Sequence, residues 1–234
     1  MRLLGYKTSL AAFRWDLIYL IAQLVSDERP GVGDLAPPLQ DLLTRLNDER
    51  TTYEQAQDAV VVAGALLDKK DARRDQLLIE AGGVARATEL EVYKTLFPRL
   101  NPSLTARLGI EAESVHIDRI LGELGKLPTD NSLRVNYEQE MTEVEALVKA
   151  ASKTSDQAAT AFALQRSQID RFKLQVDQQR ITTHGSLLVL LKSKAEADAF
   201  YRPTSNPPGE VATKDTPAPA APAVSPAVPS AGPP

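Results

Sequence analysis

Glu113 and His116 stand three residues apart, the Glu-x-x-His step by which helical bundles turn a carboxylate and an imidazole toward one metal ion. A di-iron or di-manganese site of that kind needs a second such pair and two further glutamates. The only other histidine, His184, follows Ile181, Thr182 and Thr183, so the second pair is missing. The expected role of Glu113 and His116 is an ion pair on a helix surface. No metal ligand, cofactor or catalytic residue is assigned to the chain.

Lys69, Lys70, Arg73 and Arg74 form a basic stretch that could contact phosphates. Asp68, Asp71 and Asp75 are interleaved with it, offset its field and offer local ion pairs, so the expectation is a solvated, salt-bridged helix face. Lys70 and Arg74 nevertheless fall on an otherwise apolar seam, which suggests a thin or wet core at that point. With 27 basic against 31 acidic residues and a formal charge of −4, nothing draws the whole molecule to nucleic acid.

Nucleotide-binding and nucleophile motifs of the Gly-x-x-x-x-Gly-Lys, Gly-x-Gly-x-x-Gly and Gly-x-Ser-x-Gly types are absent, and two histidines leave little for imidazole acid–base chemistry. The absence of cysteine removes disulfides, thiolate metal sites and a cysteine nucleophile together. The expectation is a protein that is not an enzyme.

The elements that carry these residues read as helices throughout. Leu10, Phe13, Leu17, Leu20, Ile21 and Leu24 recur at three- and four-residue steps, one face of a helix over 9–25 that ends before Ser26-Asp27-Glu28-Arg29-Pro30-Gly31. From Pro38 to Ala81 no proline interrupts a seam of Leu39, Leu42, Leu46, Glu49, Tyr53, Ala56, Val60, Ala63, Leu67, Lys70, Arg74, Leu77, Ala81 and Val84, eleven of fourteen apolar. Gly82-Gly83 either stops this helix or bends it.

Shorter pieces follow: a helix over 85–97 ended by Pro98, a turn of helix capped by Asn101 with Pro102 first inside it and Gly109 closing it in a left-handed turn, and a helix over 111–124 with Val115, Ile120, Leu121 and Leu124 on one side. A second long helix opens at Thr129-Asp130-Asn131-Ser132 and continues to Thr183. Its seam is Leu133, Tyr137, Met141, Val144, Val148, Ala151, Ser155, Ala158, Phe162, Gln165, Ile169, Phe172, Val176 and Gln179, again eleven apolar of fourteen. His184-Gly185 marks a break before a last helix over 186–200. Each half repeats the order short helix, Pro-containing loop, long helix, glycine break, short helix, without residue-by-residue identity.

The fold expected is all-α: an elongated antiparallel helical bundle of two long coiled-coil-like helices with several shorter packing helices, over residues 1–202. In residues 203–234 ten are proline and seven alanine, with no leucine or aromatic, so a disordered tail is expected there. Arg14, Trp15 and Asp16 interrupt the N-terminal apolar run, no signal peptide is read, and a cytoplasmic location is the expectation. The apolar run from Ala59 to Leu67 must be covered by the chain's own core, by a partner or by lipid. It falls short of a membrane span, so no stable insertion is expected. The function these features support is an interaction module or scaffold that binds a protein partner or homo-oligomerises, with Phe162 on the pairing seam. The alternative is a membrane-active, pore-forming or membrane-remodelling helical protein.

Overall fold

The computed structural model describes residues 1–203 and residue 208, so the Pro/Ala-rich segment lies almost wholly outside the described residues. Among those described there are seven α-helices and no strand: α1 (Leu10–Ser26), α2 (Pro37–Thr88), α3 (Leu90–Leu96), α4 (Pro102–Thr105), α5 (Ile110–Leu124), α6 (Ser132–Leu191) and α7 (Lys194–Ala199). α2 has 52 residues and α6 has 60, so the two extend roughly 80 and 90 Å at 1.5 Å per residue. They lie antiparallel along their seams. Arg45 covers the ring of Phe172, Glu49 accepts from Gln165, Tyr53 packs on Phe162 and Arg74 reaches Glu145, so advancing along one helix retreats along the other.

Local chemistry explains where these helices begin. The side chains of Ser9, Asn101 and Asn131 accept hydrogen bonds from first-turn amides that have no partner within their helices, and Pro37 and Pro102 stand at the start where no amide hydrogen is needed. α6 ends where Lys192 takes up a left-handed conformation at φ 53° and its amide bonds back to the carbonyl of Leu188.

Four sequence expectations need correction. α2 runs through Gly82-Gly83 to Thr88 and breaks at Glu89, so no helix spans 85–97 and α3 is short. α6 runs through His184-Gly185 to Leu191, because Thr183 and Leu187 are buried on the continuing helix face, leaving only α7 of the expected last helix. Gly109 has φ −67° and serves as the N-cap of α5 rather than as a left-handed stop. Val115 points to solvent, and α5 buries Glu113, Ser114, Ile117, Ile120 and Leu124 instead.

Gly82 is needed for packing. A methyl group there would collide with the Pro102 ring and crowd Phe97, whereas Gly64, in the same helix, has open space where its Cβ would stand. Gly64→Ala should therefore stabilise the protein by up to about 1 kcal/mol through helix propensity. Gly82→Ala should lose that gain and cost about 1–3 kcal/mol from overpacking. Urea unfolding of the two variants checks the pair, and equal effects would contradict this packing.

Apolar burial is concentrated at the two ends of the rod. One core joins Phe13, Leu17, Leu20 and Leu24 of α1 to Leu39 and Leu46 of α2, Phe172, Val176 and Leu187 of α6, and Phe200 and Tyr201 beyond α7. The other joins Leu78, Ala81 and Ala85 of α2 to Leu96, Phe97, Ile117, Ile120, Leu124, Leu133 and Met141. Between Leu46 and Arg74 of α2 only Ala63 is buried, and between Val148 and Gln165 of α6 nothing is. Each fully buried Leu or Phe contributes about 1.5–3 kcal/mol, so the ends hold the molecule together and the middle is a bare helix pair.

Candidate functional site

The heptad spacing that brings the seams together also defines two flanks, and the short helices use only one of them. On α2, Leu78 and Ala85 follow seam residues Leu77 and Val84 by one position, as Glu145, Arg180 and Leu187 follow the seam or its continuation on α6; all five are buried. α5 covers this flank at one end and α1 at the other. On the opposite flank α2 presents Arg45, Thr52, Ala59, Leu66, Arg73 and Glu80, and α6 presents Glu140, Leu147, Thr154, Ala161, Gln168, Gln175 and Thr182. Every one of these is exposed except Arg73, which is half-buried.

Arg73 and Glu140 form an ion pair across this open flank. Leu66 lies one heptad before Arg73 and Leu147 one heptad after Glu140, so in antiparallel helices the two leucines meet on the same flank. Leu66 is 52% exposed, Leu147 46%, and Val62, one helical turn from Leu66, 57%. With Ala59, Ala150 and Thr154 they make an uncharged stripe over the middle of the rod, where no third helix packs. The most apolar stretch of α2 is thus only partly covered by the chain's own core.

The covered flank holds two buried guanidinium groups, one near each end. Arg74 is fully buried; it lies 3.0 Å from Glu113 and 3.1 Å from Glu145, donates to Ser114 at 3.0 Å, and pairs with Asp71. Arg180 is 2.7 Å from Asp16, pairs with Asp177 and donates to the carbonyl of Arg2 at 3.1 Å, while Tyr201 Oη donates to the carbonyl of Arg180 at 2.8 Å. The arrangement has a reciprocal form. Arg74 belongs to α2 and holds α5 of the second half; Arg180 belongs to α6 and holds α1 of the first half.

At Arg74 the countercharge exceeds the charge. Asp71, Asp75 and Glu113 bring carboxylate oxygens within 4.8 Å of one another, close enough to hold a cation, and the guanidinium fills that role. Glu113 Oε1 and Asp75 Oδ1 are buried without a donor. Burial pushes the Glu113 carboxyl up to about 8 against the opposing pull of Arg74, and the neighbouring Asp75 and Asp71 carboxylates raise it further. Burial also raises Asp75. A proton shared between Glu113 and Asp75 would satisfy both oxygens.

These positions correct two expectations. Glu113 is 1% exposed and bound to Arg74 on another helix, so the surface pair with His116 does not form. The basic stretch divides: Arg73 crosses to Glu140 on the open flank, while Arg74 turns into the core. His184 bonds through Nε2 to Asp198 at 2.8 Å and packs edge-on to Tyr201, far from Glu113 along the rod. Phe162 packs against Tyr53 of the same chain at 5.2 Å, so the seam residue expected to support assembly is engaged within the monomer. The buried clusters escaped detection in the sequence because their partners are distant: 39 and 71 residues from Arg74 and, for the carbonyl of Arg2, 178 from Arg180. Arg74 on the seam was their one visible trace.

A third feature lies where α1 begins. A cleft of about 880 Å³ opens between the segment preceding α1 and the covered flank of the long helices, floored by Tyr53 and Ile169. No helix among the described residues is long and apolar enough to cross a membrane. No protein-family model, curated protein or solved structure matches the chain.

Proposed function

We propose that this chain is a non-enzymatic interaction scaffold that pairs with a second copy of itself through the uncharged stripe on the open flank. The observation that carries this reading is the stripe itself: Val62, Leu66 and Leu147 exposed together where, among the described residues, the rod is built from two helices alone. Its place midway between the two cores, with both long helices contributing, means that a copy turned end for end presents the same residues back to it. Two helix pairs joined in this way make a four-helix bundle, the arrangement that covers such a face.

The dimensions suit a modest interface. About 20 residues of helix extend roughly 30 Å, and two helices side by side are about 20 Å wide, giving on the order of 600 Å² per copy. The total of roughly 1,200 Å² is at the lower end for a specific complex. Uncharged faces meet without charge mismatch. A non-enzymatic role is supported by the burial of Glu113 against Arg74, where no substrate can reach it.

Sedimentation equilibrium on the full chain and on Leu66→Glu tests the proposal. Wild type should associate to a dimer and Leu66→Glu should run as a monomer with unchanged helical content, since residue 66 is exposed within the chain. A wild-type monomer at all concentrations, or a dimer indifferent to Leu66→Glu, would overturn it. Release of dye from vesicles by wild type but not by Leu66→Glu would instead favour a membrane-active protein using the same stripe.

A further inference from the structure

We infer that the cleft at the start of α1 binds a small amphipathic anion, a phosphate or carboxylate head carried on an aliphatic body. This inference is independent of the pairing through the open flank, because the cleft lies on the covered flank. Four cations line it, Lys7, Arg50, Arg166 and Lys173, against two carboxylates, Glu54 and Asp170. Both carboxylates are engaged: Glu54 with Arg50 at 3.0 Å and Asp170 with Lys173 at 3.7 Å. Lys173 also donates to the carbonyl of Tyr6 at 2.9 Å. Lys7 contacts only the ring of Tyr6, 5.8 Å from its centroid, and Arg166 has no ion-pair partner among the described residues.

Arg50 and Arg166 occupy equivalent heptad positions on the flank that the two long helices share, each one residue past a seam position. Antiparallel helix pairs ordinarily set opposite charges across such a flank, because like charges there are unfavourable. An anion bridging the two positions removes that conflict. The first turn of α1 opens into the same cleft with Ser9, Leu10 and Ala11; the Ser9 side chain satisfies only the amide of Ala12, leaving the amides of Leu10 and Ala11 without helical partners.

The floor sets the rest of the ligand. Ile169 is buried, Tyr53 and Leu10 are half-buried, and together they offer an apolar surface directly beneath the cationic rim. A site of this size, mainly apolar with a few convergent charges, fits an organic ligand better than a bare ion. The head would sit among Lys7, Arg50, Arg166 and the first turn of α1, with the aliphatic body over Tyr53 and Ile169.

Isothermal titration of the full chain with octyl phosphate, inorganic phosphate and octanol, each below any micelle-forming concentration, tests this. Octyl phosphate should bind one per chain, about tenfold or more tighter than either of the others. Arg166→Glu should weaken it about ten- to a hundredfold, the worth of a charge-assisted hydrogen bond, without changing the melting temperature. Lys7→Glu should act in the same direction and serves if Arg166→Glu perturbs folding. Equal binding of inorganic phosphate or of octanol, the absence of saturable binding, or affinity unchanged in both variants would overturn the inference.

Discussion

Arg74→Ala should cost about 3–5 kcal/mol of unfolding free energy, the loss typical when one partner of a buried ion pair is removed. The guanidinium is fully buried, and its removal leaves Glu145 inside the protein with only Lys149, 3.3 Å away, as nearby compensation, and leaves the Glu113 carboxyl without its donor. Much of this effect is the penalty of uncompensated charge rather than the worth of the pair. Arg74→Met combined with Glu113→Leu should therefore recover part of the loss, since similar-sized apolar groups replace a charge and a carboxyl that were costly to bury. The damage should also be local. With two cores separated by a thinly packed middle, hydrogen exchange should accelerate in α5 and the first half of α6 far more than in α1 and α7. Uniform acceleration would mean that the rod unfolds as one unit.

The second large effect is a dependence on pH. Burial raises the Glu113 carboxyl to about 8 in the folded protein from its ordinary value of about 4.5, so folding takes up a proton there. A group whose folded pKa is raised adds stability that is fully present below its unfolded value and is lost as pH rises through the folded one. The affected window therefore runs from about pH 4.5 to pH 8, with a slope of at most about 1.4 kcal/mol per pH unit for one proton. Groups facing Glu113 include Arg74, Asp71 and Asp75 on α2 and Glu145 on α6, and burial gives Asp75 the same direction of shift. Glu113→Gln keeps the neutral shape and can donate to Asp75. Its unfolding free energy, measured in urea at a series of pH values, should fall less steeply than that of wild type between pH 5.5 and 8. Parallel curves would show that Glu113 carries no proton in the folded state.

The seams were legible in the sequence because they are a local property. All twenty-eight positions read from the spacing of apolar residues are buried or half-buried, including Glu49, Lys70, Ser155 and Gln179, which hydrophobicity alone would have put outside. The helix start at Asn101 was legible for the same reason, and that of α6 to within Thr129-Asp130-Asn131-Ser132, of which Asn131 is the cap: a cap needs only its own first turn. Gly82-Gly83 and His184-Gly185 misled because propensity weakens a helix at glycine, but tertiary packing decides whether it stops, and at Gly82 the packing of Pro102 requires the missing side chain.

What the sequence concealed was three-dimensional selection among faces. α5 carries a plausible apolar side through Val115, yet it rotates to bring Glu113 and Ser114 onto Arg74, which only the neighbouring helix can explain. Likewise, nothing in the order of helices says that α1 and α5 rest on the same flank. That shared choice leaves the other flank open and leaves part of the apolar run from Ala59 to Leu67, with Ala59, Val62 and Leu66, as a surface stripe.

The pairing of two chains through this stripe can be tested directly because the chain has no cysteine of its own, so a single spin label can be placed at will. A nitroxide on Val62→Cys, measured by pulsed dipolar spectroscopy, should report a short intermolecular distance, while one on Lys126→Cys, at an end of the rod, should report a long distance or none. Short coupling at Lys126→Cys with none at Val62→Cys would place the contact at the ends and contradict the account.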